Sequence, residues 1–117
     1  MAFKFEDLRV WELSINLATE INGLIKTFPP EERFVLATQI QRAADSVALN
    51  IAEGSTGQSN AEFKKFLGYS NRSAIEVVCC LHLGRRRKLI QDESFSRLYS
   101  SYEILIVKIQ ALKNSIN

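Results

Sequence analysis

The sequence predicts an all-α protein folded as an antiparallel up-down-up-down four-helix bundle. Apolar residues recur every three or four positions along four segments, and no segment shows the sustained alternation of a strand. Three short breaks separate the segments: Pro29-Pro30, the polar stretch from Gly54 to Gly57, and the polar residues around Gln91. Four amphipathic helices with short connections bury their apolar faces in such a bundle.

The first helix is predicted to run from about Asp7 to Phe28. Its apolar residues cover roughly 200° of the helical wheel, whereas the apolar stripe of a surface helix in a monomer usually covers about 100°. The excess predicts burial on two sides of this helix, within the bundle and against another chain.

The second helix is predicted to run from about Pro30 to Gly54. Proline suits the first turn of a helix because its missing N–H would be unpaired there, and glycine is common where a helix stops. Glu53 has the wrong sign for that end, at a cost of about 0.3–1 kcal/mol if it is unpaired. We therefore expect Glu53 to have a cationic or hydrogen-bond-donating partner, or a functional reason to be retained.

A polar stripe runs beside the apolar stripe of the second helix. Its amide, guanidinium, hydroxyl and carboxylate groups suit specific hydrogen bonding. Two interpretations stay open: structural use, in the bundle or at a subunit interface, and recognition of an outside ligand. Arg42 is expected to pair with Asp45 or with a carboxylate on another helix such as Glu76, and Glu76 is also placed to pair with Arg72. The stripe and its candidate partner comprise Gln39, Arg42, Ser46, Asn50, Glu53 and Glu76.

The starts of the last two helices are marked by capping signals. Ser59 and Glu62 form a capping box that begins the third helix. The fourth helix is predicted to begin near Asp92, and its apolar residues form a nearly regular heptad stripe, as a bundle helix requires.

The third helix carries the main charge asymmetry. The formal net charge is +2, but seven basic and only two acidic residues lie between Ser59 and Ile90, which predicts an acidic partner. One interpretation is that these cations complement the helix C-terminus and keep the protein soluble; the other is contact with nucleic-acid phosphates. No aromatic residues interleave with them, so the pattern favours phosphate contact over base stacking. The candidate nucleic-acid-binding residues are Lys65, Arg72, Arg85, Arg86, Arg87 and Lys88.

The sequence shows no pattern typical of an active site. His82 is the only histidine, and Cys79 and Cys80 are adjacent rather than spaced as metal or redox ligands. No phosphate-binding glycine loop, nucleophile elbow or zinc motif is present. We therefore predict no catalytic residue, no metal, no cofactor and no enzymatic activity.

Length and hydropathy indicate the number of domains and the expected location of the protein. Residues 1–117, with a mass of 13.3 kDa, are predicted to form one domain. No apolar run approaches the roughly 18 residues of a membrane span, and the first residues lack the apolar core of a signal peptide. A cytoplasmic location without membrane contact is expected.

The combination of these motifs resembles a known family. The chain is similar to the four-helix-bundle proteins encoded by intervening sequences within bacterial 23S ribosomal RNA genes, a family that includes accessory proteins of diversity-generating retroelements. The resemblance covers nearly the whole chain and departs from the family pattern at Thr56-Gly57 and at Ser70 to Ser73. It is carried by Phe5, Leu8, Val10, Trp11, Phe28-Pro29, Glu32, Gln39-Ile40, Arg42 to Ala44, Ser46, Asn50 to Gly54, Ser59, Glu62-Phe63, Phe66-Leu67, Ser73 and Glu76.

The resemblance implies a ring-like homopentamer. In the retroelement branch such a ring has a basic surface that binds nucleic acid and a reverse transcriptase. Our first hypothesis is a non-enzymatic homo-oligomer, pentameric as in the family, that contacts RNA or DNA phosphates through the third helix. The alternative is a protein-interaction scaffold or accessory subunit with no direct nucleic-acid contact.

Overall fold

The computed structural model of the protein describes residues 2–117 and confirms the all-α four-helix fold. No strand occurs in this part of the chain. Two short 3₁₀ turns, Lys4–Asp7 and Pro30–Glu32, precede the first and second helices. The helices are α1 (Arg9–Ile25), α2 (Leu36–Gly54), α3 (Asn60–Arg86) and α4 (Asp92–Ser115).

Helices that are neighbours in sequence are also neighbours in space. α2 packs against α1 and α3, and α4 packs against α3 and less extensively against α1, so α2 lies diagonally across the bundle from α4. Each helix contributes to one core, for example through the fully buried side chains of Ile21, Ile40, Leu67 and Leu105. The bundle measures 44 × 22 × 21 Å.

The first two helices are shorter than the sequence predicted. α1 ends at Ile25 rather than Phe28, and α2 begins at Leu36 rather than Pro30. Pro30 instead starts a 3₁₀ turn, and Val35 has a non-helical backbone, with φ −118° and ψ −99°, directly before α2. The segment that joins α1 to α2 is therefore longer than expected, and it exposes Phe34 and Val35.

The broad apolar arc of α1 is mostly covered by the chain itself. Trp11 packs against the core and receives the ring of Phe5 edge-on, with the two ring centroids 4.9 Å apart. Among the large apolar residues of α1, only Ile15 counts as exposed. The 3₁₀ turn at the N-terminus thus supplies part of the second burial predicted for this helix, and its burial against another chain stays a prediction.

Gly54 ends α2 as predicted, but for a different reason. Among the described glycines only Gly57, in the following turn, has a positive φ, at 90°. A Cβ atom on Gly54 would lie 2.5 Å from Cβ of Phe66 on α3. Glycine is therefore required because the end of α2 passes directly over α3.

The predicted start of α3 is present in the structure, with one of the two hydrogen bonds of the predicted capping box. The Ser59 hydroxyl accepts a hydrogen bond from the backbone N–H of Glu62 at 3.0 Å. This cap fixes the point at which the chain leaves the turn and begins its longest helix, which carries four of the candidate basic residues and is followed directly by Arg87 and Lys88.

Candidate nucleic-acid interface

The α3 basic edge consists of the exposed cations Lys65, Arg72, Arg86, Arg87 and Lys88. Lys65, Arg72 and Arg86 are separated by multiples of seven residues, so they lie along nearly one line of the helix over about 31 Å. Within residues 2–117 none of the five forms an ion pair, and the expected pair between Arg72 and Glu76 is not made. The edge therefore presents free positive charge to solvent.

Arg85 differs from the other candidate cations because it is half-buried. Its guanidinium carbon lies 3.8 Å from the ring centroid of Phe95 on α4, and His82 meets the same ring edge-on at 4.9 Å. Such a cation–π contact stabilises packing by about 0.5–2 kcal/mol. Arg85 thus helps to hold α3 on α4, which sequence reasoning missed because the aromatic partner lies on another helix.

Lys88 closes the C-terminus of α3 in an unusual conformation for its residue type. The N–H of Leu89 donates to the carbonyl of Gly84 at 2.8 Å, and the N–H of Lys88 donates to the carbonyl of Arg85 at 3.0 Å. This is the Schellman pattern, in which the residue at the position of Lys88 is usually glycine. Lys88 has φ 61°, so its charge is placed just beyond the helix end at a conformational cost.

Replacing Lys88 with glycine is expected to stabilise the fold by about 1 kcal/mol, because glycine adopts a positive φ without strain. Urea unfolding at fixed protein concentration measures the change. Lys88→Ala is the matched control, since it removes the same charge but keeps a Cβ in the left-handed conformation. Equal stability of the glycine and alanine variants would show that the backbone at Lys88 carries no strain.

The centre of the polar stripe links α2 to α3. The hydroxyl oxygens of Ser46 and Ser73 are 2.9 Å apart. Asn50 Nδ2 donates to the carbonyl oxygen of Ser46 at 2.9 Å and to its hydroxyl oxygen at 3.0 Å. The side chains of Ser46 and Asn50 therefore form hydrogen bonds within the bundle.

The outer members of the polar stripe have no partner within the described part of the chain. Gln39, Arg42, Glu53 and Glu76 are exposed and make no side-chain hydrogen bond or ion pair there. The expected pairing of Arg42 with Asp45 is wrong, because Gln41 Nε2 instead donates to the Asp45 carboxylate at 2.9 Å. The partner expected for Glu53 is not supplied by residues 2–117.

A groove of about 980 Å³ lies between the outward side of α2 and the segment that joins α1 to α2. We call it the α2 groove. Its apolar lining comes from Ile25, Phe28, Pro29, Ala37 and Leu49. Its charged lining comprises the cations Lys26, Arg33 and Arg42 and the single acid Asp45.

The sequence pattern of the family described as 23S rRNA-intervening sequence protein matches residues 6–111 of the chain. The chain belongs to this family. It is also similar to the crystal structure, at 1.70 Å resolution, of a protein of unknown function from the S23 ribosomal protein family of Bacteroides thetaiotaomicron VPI-5482. The TM-score is 0.84 and the identity 26%, over 91% of this chain and 96% of that chain. A comparison with curated proteins found no match.

The matched range contains the α3 basic edge, the polar stripe and the α2 groove. Within residues 2–117 no group of three or more His, Cys, Asp or Glu side chains is placed to hold a metal ion. None of the helices in that range combines the length and apolar character needed to cross a membrane.

Proposed function

We propose that this protein is a non-enzymatic, cytoplasmic homo-oligomer that binds RNA or DNA phosphates through the α3 basic edge. The observation that carries the proposal is the free positive charge along that edge: five exposed cations without an ion pair among the described residues. Free cations release condensed counterions when they meet phosphates, which drives association.

The edge favours contact with the backbone rather than with bases. Among the described residues, the aromatic ring in contact with one of these five cations is Tyr69, whose centroid lies 6.0 Å from Lys65 Nζ. Single-strand binders usually offer several stacking rings along the path of the strand. Binding through the α3 basic edge is therefore expected to be insensitive to sequence and sensitive to salt.

Self-association supports the same function, because each copy repeats the α3 basic edge. Joining several modest sites raises the overall affinity when they engage one nucleic acid together. We propose a pentamer, as the family resemblance implies, and by the same resemblance a reverse transcriptase as a protein partner. A bound nucleic acid would then span several copies.

The expected result of titrating the protein with structured RNA and with duplex DNA is binding that weakens steeply between about 50 and 200 mM salt. Arg86→Ala/Arg87→Ala is expected to lower the slope of log affinity against log salt by about 2, because two phosphate contacts are lost. Fluorescence anisotropy measures both quantities. Lys4→Ala/Arg9→Ala removes the same charge from exposed positions in the N-terminal 3₁₀ turn and at the start of α1, and it is expected to change the slope much less.

Equal effects of the two double variants would show that only net charge matters and would contradict a binding site on α3. An absence of binding by the wild-type protein at about 50 mM salt would contradict nucleic-acid binding altogether. That outcome would favour the alternative, a scaffold or accessory subunit that contacts proteins only.

A further inference from the structure

Two separate surfaces of the bundle expose aliphatic side chains that the core does not use. One is the α2 groove, where Leu49 is 65% exposed. The other is a stripe on α4 formed by Ile104, Val107 and Ala111, with Ile104 54% and Val107 63% exposed. We call it the α4 stripe.

The α4 stripe has the spacing of a helix that docks in a groove. Its residues stand at positions i, i+3 and i+7, on the side of α4 opposite the buried Tyr102. Amphipathic helices that bind in apolar grooves present anchors at this spacing. The chain thus carries both the α2 groove, which has an apolar lining, and the α4 stripe, a helix face with the spacing of groove-binding helices.

The two surfaces point in opposite directions. α2 and α4 lie diagonally across the bundle, so their outward sides face away from each other. The α4 stripe therefore cannot reach the α2 groove of its own chain. A dimer in which each copy inserts its stripe into the groove of the other would need the stripe and the groove on the same side of the bundle. A contact in which the stripe of one copy fills the groove of another must therefore be head-to-tail.

We propose that the α4 stripe of one copy docks into the α2 groove of the next copy. The inference rests on the proposed homo-oligomer and specifies its interface. A head-to-tail contact repeated with a fixed rotation closes into a ring or continues as a filament. Each copy then buries Leu49 on one side and Ile104 and Val107 on the other.

Charges beside the two surfaces are complementary. Glu103 flanks the α4 stripe on one side and Lys108 on the other; both are exposed and neither is paired within residues 2–117. The α2 groove offers the opposite signs, with three cations including Arg42, and the acid Asp45. Such pairs at the rim of an interface set orientation more than affinity.

The proposed contact leaves the α3 basic edge free. α3 lies between α2 and α4 on one side of the bundle, and α1 lies between them on the other. In a head-to-tail ring every copy therefore presents α3 on the same side of the assembly. The basic edges of the copies then lie on one surface, which would raise the affinity for a nucleic acid that spans several copies.

The test uses two variants, each of which blocks one surface. Val107→Asp places a charge in the α4 stripe, and Leu49→Asp places a charge in the α2 groove. Phe3→Asp is the matched control, since Phe3 is 64% exposed and lies on neither surface. Circular dichroism verifies that all three variants remain helical.

Sedimentation velocity is expected to show that each blocked variant alone is a monomer, while the control assembles like the wild type. An equimolar mixture of Val107→Asp and Leu49→Asp is expected to form a dimer and nothing larger. One intact groove and one intact stripe remain in that mixture, so only one contact can form.

Wild-type assembly by either blocked variant, or a mixture that stays monomeric, would overturn the inferred interface while leaving the homo-oligomer intact. A monomeric wild-type protein would overturn the homo-oligomer and the interface together. Nucleic-acid binding is measured separately on the same samples, so its failure is distinguishable from both outcomes.

Discussion

Replacing Gly54 with alanine is expected to destabilise the protein by about 1–3 kcal/mol, because a methyl group is forced into a filled contact. The new Cβ would lie 2.5 Å from Cβ of Phe66 and 3.2 Å from Cδ1 of Phe63. The first of these atoms is bonded directly to the backbone of α3, so a side-chain rotation cannot move it away. The two helices would have to separate where α2 ends.

Gly23→Ala provides the opposite control. Gly23 is exposed within α1, and a Cβ there would meet nothing within 4 Å. Alanine is favoured over glycine inside a helix by about 1 kcal/mol, so this variant is expected to be more stable than the wild type. Urea unfolding at one protein concentration compares the two variants. A Gly54→Ala protein as stable as Gly23→Ala would show that the contact with Phe66 relaxes without cost.

Gly54 also shows where sequence reasoning reaches its limit. Its position after a helical pattern was enough to predict the end of α2, because glycine is common at that place in any helix. The close approach of Phe66 depends on how α2 and α3 cross, and spacing within one helix does not encode that crossing. The location was therefore predictable, whereas the physical reason was not.

The α3 basic edge could also be predicted from the spacing of residues within one helix. Lys65, Arg72 and Arg86 follow the periodicity of a single helix, so their shared side can be derived from spacing alone. The stacking of Arg85 on Phe95 joins two helices and escaped the same method. Periodicity identifies the face of a helix, but it does not identify the partner on the next helix.

The α2 groove could not be derived from the sequence. The predicted helix starting at Pro30 would have left little chain between α1 and α2, and thus no wall for a groove. The non-helical backbone of Val35 moves the start of α2 to Leu36 and leaves the intervening segment to form that wall. The α2 groove therefore exists because α2 begins at Leu36, a few residues later than the sequence predicts.

Tyr102 is expected to make the protein sensitive to alkali. Its side chain is 1% exposed, and its hydroxyl has no hydrogen-bond partner among the described residues. Burial, with the carboxylates of Glu20 and Asp45 adding to it, raises the pKa of Tyr102 well above its usual value near 10. Burial of Cys80, aided by Glu76, likewise raises the pKa of its thiol from 9.0 to about 11.

The direction of the pH effect follows from which state holds the proton. Above pH 9 for Cys80, and above pH 10 for Tyr102, the unfolded chain loses a proton that the folded protein retains. Stability is therefore complete below these values and falls as the pH rises, by about 1.4 kcal/mol per pH unit for each group. The loss continues until the folded protein also titrates.

Replacing Tyr102 with phenylalanine is expected to remove the Tyr102 part of this alkaline loss. The variant is also expected to equal or exceed the wild type in stability at neutral pH, since an unpaired buried hydroxyl costs about 1–3 kcal/mol. Urea midpoints measured from neutral pH to about pH 11, with thiols kept reduced, give both quantities. Tyr99→Phe, at a partly exposed position on the same helix, is the control and should retain the wild-type slope. Parallel slopes for wild type and Tyr102→Phe above pH 10 would show that the Tyr102 hydroxyl reaches solvent or a partner in the folded protein.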